Sequence, residues 1–320
     1  MRRLLLPGLV VLIASGLPLA GQEKQEKKQA PSRQTPTAAN VAYGDHPRQV
    51  LDFYQAKSDQ PTPLVLYIHG GGWVNGDKSG FNAKPFLDAG ISVAAINYRM
   101  AAKNQKDPNA APSAVELKIV PPVKAPLEDA ARALQFIRSK AKEWNIDKKR
   151  IGATGGSAGG CSSLWLAFHD DMADPKSSDP VARESTRLYC AAVNGAQTSL
   201  DPKELREWMP NYGYGAHAFG LPKFEALYDD RDKVLPWIKE YSPIEHVSKD
   251  DPPIFMFYGT QETPPVVGTK QKDPTHSAIL GIKLEERLKA AGVECVLVYQ
   301  DHMDSRYKNA TQFLIERLRK

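Results

Sequence analysis

The chain has 320 residues, of which 42% are hydrophobic and 25% are charged. This length and balance suit one large α/β domain and exclude global disorder. The formal net charge of +5 comes from scattered lysines and arginines without a basic stripe interleaved with aromatic residues, so we expect no nucleic-acid partner. The three cysteines fall in segments predicted to be buried, and no metal-ligand spacing occurs, so we expect no disulfide framework, no metal and no cofactor.

The N-terminus has the order of a secretory signal peptide. Two arginines precede a mostly apolar run over 4–19, and small residues follow it. This order predicts a signal peptide over 1–21 and export to the periplasm or out of the cell, with no stable membrane span after cleavage. An uncleaved anchor stays open as an alternative. Residues 22–40 are rich in Gln, Lys, Pro and Thr and are predicted to form a disordered linker, so the folded domain is predicted to span 41–320.

From residue 41 onward, short apolar runs alternate with segments of helical periodicity. Strands are predicted over 41–44, 49–55, 64–68, 91–98, from 150 to the turn at 156, and over 188–193, 253–258 and 293–299. Helices are predicted over 79–89, 126–144, 157–169, 277–291 and 306–318. Such alternation implies a mostly parallel sheet flanked by helices and joined by right-handed crossovers.

Two stretches break this alternation. Residues 100–125 hold four prolines and form a long predicted loop, which in a compact domain is usually functional or mobile. Residues 199–250 hold short helical pieces and are predicted to form a cap insertion over the active site. Its aromatic residues and one histidine either line an acyl or leaving-group pocket or only pack the cap: Trp208, Tyr212, Tyr214, His217, Phe219 and Trp237.

The sequence GGSAGG at 155–160 has the pattern of a nucleophile elbow. Ser157 lies between Gly155 and Gly159 in the spacing G-x-S-x-G, where a strand turns sharply into a helix. The two flanking positions must lack side chains so that the strand and the helix can pass closely. The amide of Ala158 is then predicted to point to the place where an oxyanion forms. A glycine-rich β–α turn with an uninvolved serine is the alternative.

Three consecutive glycines follow the strand predicted over 64–68, in the sequence HGGGW at 69–73. HGGG is the oxyanion-hole motif of esterases. We therefore predict that the amides of Gly71 and Gly72 join that of Ala158 in an oxyanion hole, and that His69 orients the loop rather than acting as a base. The two motifs occur in the expected order, which favours a serine nucleophile over coincidence.

With these motifs, the chain resembles the α/β-hydrolase superfamily. Within it, the chain is similar to secreted bacterial esterases of the hormone-sensitive-lipase and the feruloyl- or acetyl-xylan-esterase-like branches. The similarity extends from about residue 43 to the C-terminus and rests on LDFY at 51–54, HGGGW, Asp129 and GGSAGG. It implies an α/β-hydrolase fold with a cap, and a serine carboxylesterase that hydrolyses small acyl esters through an acyl-enzyme. The implied substrates carry acetyl or feruloyl groups, on small molecules or on polysaccharide.

The resemblance also implies an acid and then a histidine after the elbow. The acid normally follows the penultimate strand in a string such as G-T-x-D. Here the string is GTQE, which selects Glu262 and leaves Asp273 as the reserve. The histidine normally follows the last strand, which selects His302, although a methionine replaces the usual next glycine. His276, at the start of the preceding helix, is the alternative.

Two other functions stay open at this point. A catalytically silent binding protein could use the same fold, because the regions of the acid and the histidine are unusual. A prolyl-peptidase-like hydrolase is disfavoured, because we expect a chain of this length to leave no room for a propeller domain.

Overall fold

The computed structural model describes residues 34–101 and 120–320. The predicted signal peptide, most of the predicted linker and the greater part of the predicted loop at 100–125 lie outside the described residues. Within the described ranges, no helix combines the length and the apolar character that a membrane span requires.

The described strands form one sheet in the order β1-β2-β4-β3-β5-β6-β7-β8. The β1–β2 and β2–β4 pairs are antiparallel, and all the other pairs are parallel. The mostly parallel sheet predicted from the sequence is therefore confirmed. The strands are β1 (Ala38–Ala42), β2 (Val50–Tyr54), β3 (Thr62–Ile68), β4 (Ser92–Ile96), β5 (Ile146–Gly156), β6 (Cys190–Asn194), β7 (Ile254–Phe257) and β8 (Cys295–Val298).

Helices cover both faces of the sheet. Their bounds are α1 (Lys84–Asp88), α2 (Lys124–Ser139), α3 (Ala158–Phe168), α4 (Pro202–Trp208), α5 (Phe224–Asp229), α6 (Arg231–Tyr241), α7 (Ala278–Ala291) and α8 (Ala310–Leu318). Buried residues of α1 and α8 pack in one apolar layer, and those of α2, α3 and α7 pack in the other. The central strands β3 and β4 are therefore buried on both sides, which explains the continuous apolar runs in the sequence.

Several helix boundaries differ from the prediction for local reasons. The helix predicted from 79 begins as a 3₁₀ turn at Lys78–Gly80, and α1 starts only at Lys84. The helix predicted from 306 begins at Ala310, because the Asn309 side chain caps it by accepting a hydrogen bond from the Gln312 amide.

The strand order places the two glycine motifs side by side. Strands β3 and β5 are parallel neighbours in the centre of the sheet, and Ile68 pairs with Gly155. The glycine loop after Ile68 and the elbow after Gly156 therefore leave the same edge of the sheet together. Ligands of open α/β sheets bind at this carboxyl edge.

A buried carboxylate ties three parts of this framework together. Asp129 of α2 is 1% exposed. It accepts hydrogen bonds from the amide and the guanidinium of Arg99, which follows β4, and from Gln49, which precedes β2. A buried charge with this many donors is costly to disturb, because removal of one partner leaves the others unsatisfied.

We expect Asp129→Ala to lower the free energy of unfolding by about 2–4 kcal/mol, because Arg99 and Gln49 lose their shared acceptor. The half-exposed guanidinium of Arg99 can turn to water, which favours the lower part of this range. Urea unfolding measures the change. Asp88→Ala is the matched control, since its ion pair with Lys84 is exposed and its loss should cost about 0.5 kcal/mol or less. An equal effect of the two variants would contradict the role assigned to Asp129.

Candidate active site

Ser157 stands at the sharp turn between β5 and α3. Its φ of 51° and ψ of −124° place it in a backbone region that side-chain-bearing residues rarely adopt. The turn is held by a hydrogen bond from the Ser157 amide to the carbonyl oxygen of Asn194, at the end of β6. Such strain persists only where the surrounding structure enforces it, and it is typical of functional sites.

The two flanking glycines let α3 pass against the end of β3. A Cβ atom at Gly159 would lie 2.1 Å from the carbonyl oxygen of Ile68, and one at Gly155 would lie 2.5 Å from the same oxygen. Both clashes are with backbone, which cannot move aside as a flexible side chain can. The close passage that the G-x-S-x-G spacing predicts is therefore present in the structure.

The glycine loop lies directly beside this turn. Gly71 and Gly72 have φ values of 102° and 62°, a left-handed region that glycine enters without strain. The amides of Gly71 and Gly72 make no hydrogen bond to any residue in the ranges 34–101 and 120–320. The amide of Ala158 opens α3 and has no partner within that helix. Three N–H donors are thus available near Ser157, on the loop and the helix that the sequence predicts.

A residue that the sequence motifs did not indicate supports the glycine loop. His217, in the 3₁₀ turn Ala216–Phe219, donates from Nε2 to the carbonyl oxygen of Gly72 at 2.8 Å. Burial lowers the pKa of His217, so the ring stays neutral near pH 7. A Cβ at Gly72 would lie 2.2 Å from the hydroxyl of Tyr214. No short motif marks these contacts, because the insertion reaches the loop from a distant part of the chain.

His69 is packed beneath the loop. It is 2% exposed, stacks on Tyr98 and donates from Nδ1 to the carbonyl oxygen of Gly70 at 2.8 Å. Burial, together with the nearby Arg48 guanidinium, lowers the pKa of His69 to about 4. No hydrogen bond joins it to Ser157 among the described residues, which agrees with an orienting role.

The side chain that reaches Ser157 is His276. Its Nε2 lies 3.0 Å from Ser157 Oγ, and its Nδ1 lies 2.8 Å from Asp273 Oδ2. Because the carboxylate accepts the Nδ1 hydrogen, Nε2 carries the lone pair and Ser157 Oγ donates to it. Asp273 and His276 belong to one 3₁₀ turn between β7 and α7, in which Asp273 also caps the His276 amide.

This contact corrects the predicted choice of His302 and Glu262. Strand β8 ends at Val298, and the chain then folds back so that Tyr299 and His302 exchange backbone hydrogen bonds and stack their rings. His302 is thereby held against Tyr299 rather than Ser157. Glu262 is exposed and pairs with Lys272. The two reserve residues, Asp273 and His276, take the places that the resemblance assigned to these side chains.

The sequence does contain a signal for this arrangement. The string Asp273-Pro274-Thr275-His276 has a capping residue followed by proline, which is the start signal of a helical turn. Such a turn brings the first and fourth side chains together. The family order of acid after one strand and histidine after the next concealed it, because here both groups come from one turn.

Two cavities are bordered by residues that lie next to the site, His276 in one case and Trp73 and Tyr214 in the other. The first has a volume of about 230 Å³, and polar residues border it: His276, Asp273, Gln261, Glu262, Gln271 and Lys272. The second is much smaller: the volume that the centre of a water molecule can occupy is about 10 Å³. It is bordered by Trp73, Gln197, Leu200, Leu205, Tyr212 and Tyr214. The first lies on the histidine side and the second on the glycine-loop side. The site thus offers one roomy polar space and one very small apolar space.

Comparison with known proteins agrees with this fold. The chain is 26% identical over 234 residues to the probable carboxylic ester hydrolase LipM of Mycobacterium tuberculosis, covering 70% of this chain and 48% of that protein. It is 49% identical over 169 residues to endo-1,4-beta-xylanase B of Butyrivibrio fibrisolvens, covering 50% and 24%. A crystal structure of an acetyl ester-xyloside bifunctional hydrolase from Caldicellulosiruptor lactoaceticus matches with a TM-score of 0.55 and 25% identity, covering 78% and 76%.

Strand order, elbow and glycine loop define the class of the protein by its fold, which is that of an α/β-hydrolase. The BD-FAE family model matches residues 51–278, which is most of the chain. The chain therefore belongs to the BD-FAE family. It spans about half the length, or less, of the first curated relatives it matches.

Proposed function

We propose that the protein is a serine carboxylesterase that removes acetyl groups from a carbohydrate. The observation that carries this proposal is the chain of contacts from Asp273 through His276 to Ser157 Oγ, beside three backbone amides that have no hydrogen-bond acceptor in the part of the chain that the structure describes. A nucleophile, a base oriented by a carboxylate, and oxyanion donors are the parts that acyl transfer requires.

In the proposed reaction, His276 Nε2 takes the proton of Ser157 as Oγ attacks the ester carbonyl carbon. The amides of Gly71, Gly72 and Ala158 donate to the oxyanion. His276 then gives its proton to the leaving alcohol oxygen as the ester C–O bond breaks, which leaves an acyl-Ser157. Water, deprotonated by the same imidazole, attacks the acyl-enzyme and releases the carboxylic acid and free Ser157.

The exposure of the acid has a consequence for this mechanism. The side chains of Asp273 and His276 are 64% and 44% exposed. Water screens the attraction between the carboxylate and an imidazolium, so Asp273 contributes less electrostatic stabilisation than a buried triad acid would. Its main effect is then to hold the Nδ1 tautomer and the direction of the ring.

The size of the apolar cavity favours an acetyl group. A volume of about 10 Å³ for the centre of a water-sized sphere is room for about one water molecule or one methyl group. The ring of a feruloyl group does not fit in that space without displacement of Trp73 or Tyr214. We therefore propose acetyl rather than feruloyl as the acyl group.

The polar cavity favours a sugar as the alcohol. It lies beside His276, where the protonated leaving oxygen departs, and amide, carboxylate and ammonium groups border it. Such groups suit the hydroxyls of a carbohydrate better than an apolar alcohol. The similarity to a xylanase and to an acetyl ester-xyloside hydrolase supports an acetylated xylan or its fragments as the source.

We also propose that the protein acts outside the cytoplasm. The charged, apolar and small-residue order of residues 1–21 supports export. A polysaccharide substrate is consistent with this location.

The contact chain predicts a distinct pattern in four variants. Ser157→Ala and His276→Ala should each lower kcat/KM for p-nitrophenyl acetate by about 10⁴-fold or more, and should abolish the acylation burst. Asp273→Ala removes the carboxylate without offering an amide donor to Nδ1, and water can take its place at this exposed turn, so it should cost less than the roughly 10⁴-fold typical of a buried triad acid. His302→Ala, the matched histidine control, should stay within about twofold of the wild type.

Labelling with a serine-reactive phosphonate checks the same assignment by mass spectrometry. The label should appear on Ser157 in the wild type and in His302→Ala. A burst that survives His276→Ala but not His302→Ala would reverse the assignment of the base. A wild-type chain that neither takes the label nor hydrolyses any ester would support a silent binding protein instead.

The small cavity predicts a steep dependence on acyl length. We expect kcat/KM to fall by about 10-fold or more for each added pair of methylenes from p-nitrophenyl acetate to butyrate to hexanoate. Leu205→Ala should enlarge the cavity and raise the butyrate-to-acetate ratio, because Leu205 borders it. Leu227→Ala, a buried leucine of the same insertion that does not border the cavity, should leave the ratio unchanged. A wild type that prefers butyrate, or cleaves methyl ferulate as fast as the acetate, would exclude an acetyl-sized pocket.

Export predicts a mature chain that starts near Gln22. N-terminal sequencing of protein from the periplasm or medium of an expressing bacterium should find this start, and replacement of Arg2 and Arg3 by glutamate should retain the precursor inside. An intact Met1 on soluble cytoplasmic protein would exclude export. An intact N-terminus in the membrane fraction would support an uncleaved anchor.

A further inference from the structure

Three potential metal ligands meet at the C-terminal end of α3, the end opposite Ser157. His169 follows the last residue of α3, Glu240 lies in α6, and His246 ends the 3₁₀ turn Pro243–His246. One ligand atom from each lies within 4.8 Å of the others. His169 and Glu240 are 71 positions apart in the sequence, so no short motif reveals the cluster. It joins α3 to the insertion.

The hydrogen bonds of His169 leave a lone pair facing a carboxylate. Nδ1 lies 2.9 Å from the carbonyl oxygen of Asp170, which can only accept, so Nδ1 carries the hydrogen. The other nitrogen, Nε2, lies 3.3 Å from Glu240 Oε1. In the neutral ring two acceptors therefore face each other, and the contact is favourable only with a proton or a cation between them. A backbone carbonyl on the second ring nitrogen is the usual support of a metal-binding histidine.

The second histidine is held in place by the backbone of the same glutamate. His246 Nε2 donates to the carbonyl oxygen of Glu240 at 2.6 Å, and the centres of the His169 and His246 rings are 4.9 Å apart. Trp165 Nε1 donates to that same carbonyl at 2.8 Å. The carbonyl therefore stays hydrogen-bonded if His246 turns a ring nitrogen to an ion.

We propose that His169, Glu240 and His246 form a binding site for a divalent transition metal, zinc by the nature of its ligands. Two imidazoles and one carboxylate are a common zinc ligand set, with water in the fourth position. Zinc–ligand bonds of about 2.0–2.2 Å place tetrahedral ligand atoms about 3.4 Å apart. His169 Nε2 and Glu240 Oε1 already lie 3.3 Å apart, so only the separations to the ligand atom of His246, which are within 4.8 Å, must shorten, by up to about 1.4 Å. The side chain of Glu240 is 47% exposed and is free to make much of this movement.

The site is structural rather than part of the reaction. Helix α3 separates it from Ser157, and the eleven residues of that helix span about 16 Å at 1.5 Å per residue. A bound ion would clip α6 and the following turn to the end of α3. The same insertion supplies His217 and Tyr214 to the glycine loop, so the metal would stabilise the element that covers the proposed oxyanion hole. The ion would bind the folded chain and not the unfolded one, and would raise the melting temperature accordingly.

The test uses full-length protein without a histidine tag, stripped with EDTA. Calorimetric titration with ZnCl₂ should show one site per chain, and excess ZnCl₂ should raise the Tm by several degrees in a manner that EDTA reverses. CoCl₂ should give the visible absorption of a tetrahedral site. None of these measurements depends on ester hydrolysis, so their outcome is separate from that of the proposed enzyme function.

Three variants decide whether these side chains bind the ion. His246→Gln and Glu240→Gln keep polar groups of similar size, and each should lower the affinity for zinc by about tenfold or more. His302→Gln replaces an exposed histidine outside the cluster and should bind zinc as the wild type does. Absence of zinc binding by the wild type would overturn the proposal. Binding that survives both His246→Gln and Glu240→Gln would overturn it as well, and loss of that binding in His276→Ala would place the ion at the triad.

Discussion

The domain depends on the close passage of α3 against the end of β3. The carbonyl oxygen of Ile68 leaves no space for a side chain at either position 155 or position 159. That contact fixes the strained backbone of Ser157, with its φ of 51°, and aims the hydroxyl away from the sheet. It also brings the start of α3 against the glycine loop, so that the amides of both elements lie near one point. One steric constraint thus places the proposed nucleophile and the proposed oxyanion donors together.

Asp273 and His276 are brought to Ser157 by a single short turn of the chain. In the arrangement implied by the resemblance, each follows a different strand, and the sheet itself positions them. In this chain one 3₁₀ turn carries both, with Asp273 as its cap. The turn lies against the loop after β6, where a Cβ at Gly195 would be 3.4 Å from His276. As a consequence the Asp273 side chain is exposed to solvent, because a turn at the surface buries its side chains less than a strand end does. We infer that the carboxylate acts chiefly by orienting the imidazole.

The insertion between β6 and β7 links several features of the molecule. His217 and Tyr214 hold the glycine loop from above, and Leu205 and Tyr212 narrow the apolar cavity. At its other end, α6 and the next turn meet the C-terminal end of α3 at the histidine and glutamate cluster. Helix α3 is therefore in contact with the insertion at its C-terminal end, while its N-terminal end follows the turn at Ser157. A change in the packing of the insertion would therefore alter the geometry of both the proposed acyl pocket and the proposed oxyanion hole.

The sequence by itself determined the features that arise from local chemistry. Glycines at fixed spacing specify the elbow, three glycines after an apolar strand specify the loop, and apolar runs alternating with helical periodicity specify a mostly parallel sheet. Each of these depends on neighbouring residues or on one strand and the element next to it.

The tertiary structure alone decided that β1 and β2 pair antiparallel at one edge, that His276 rather than His302 contacts Ser157, and that His217 supports Gly72. The choice of histidine depends on two turns. The turn at 299–302 holds the imidazole of His302 against Tyr299, and the 3₁₀ turn at Pro274–His276 directs the imidazole of His276 to Ser157. Contacts between residues more than a hundred positions apart, such as that between His276 and Ser157, are set by packing, which periodicity and spacing do not encode.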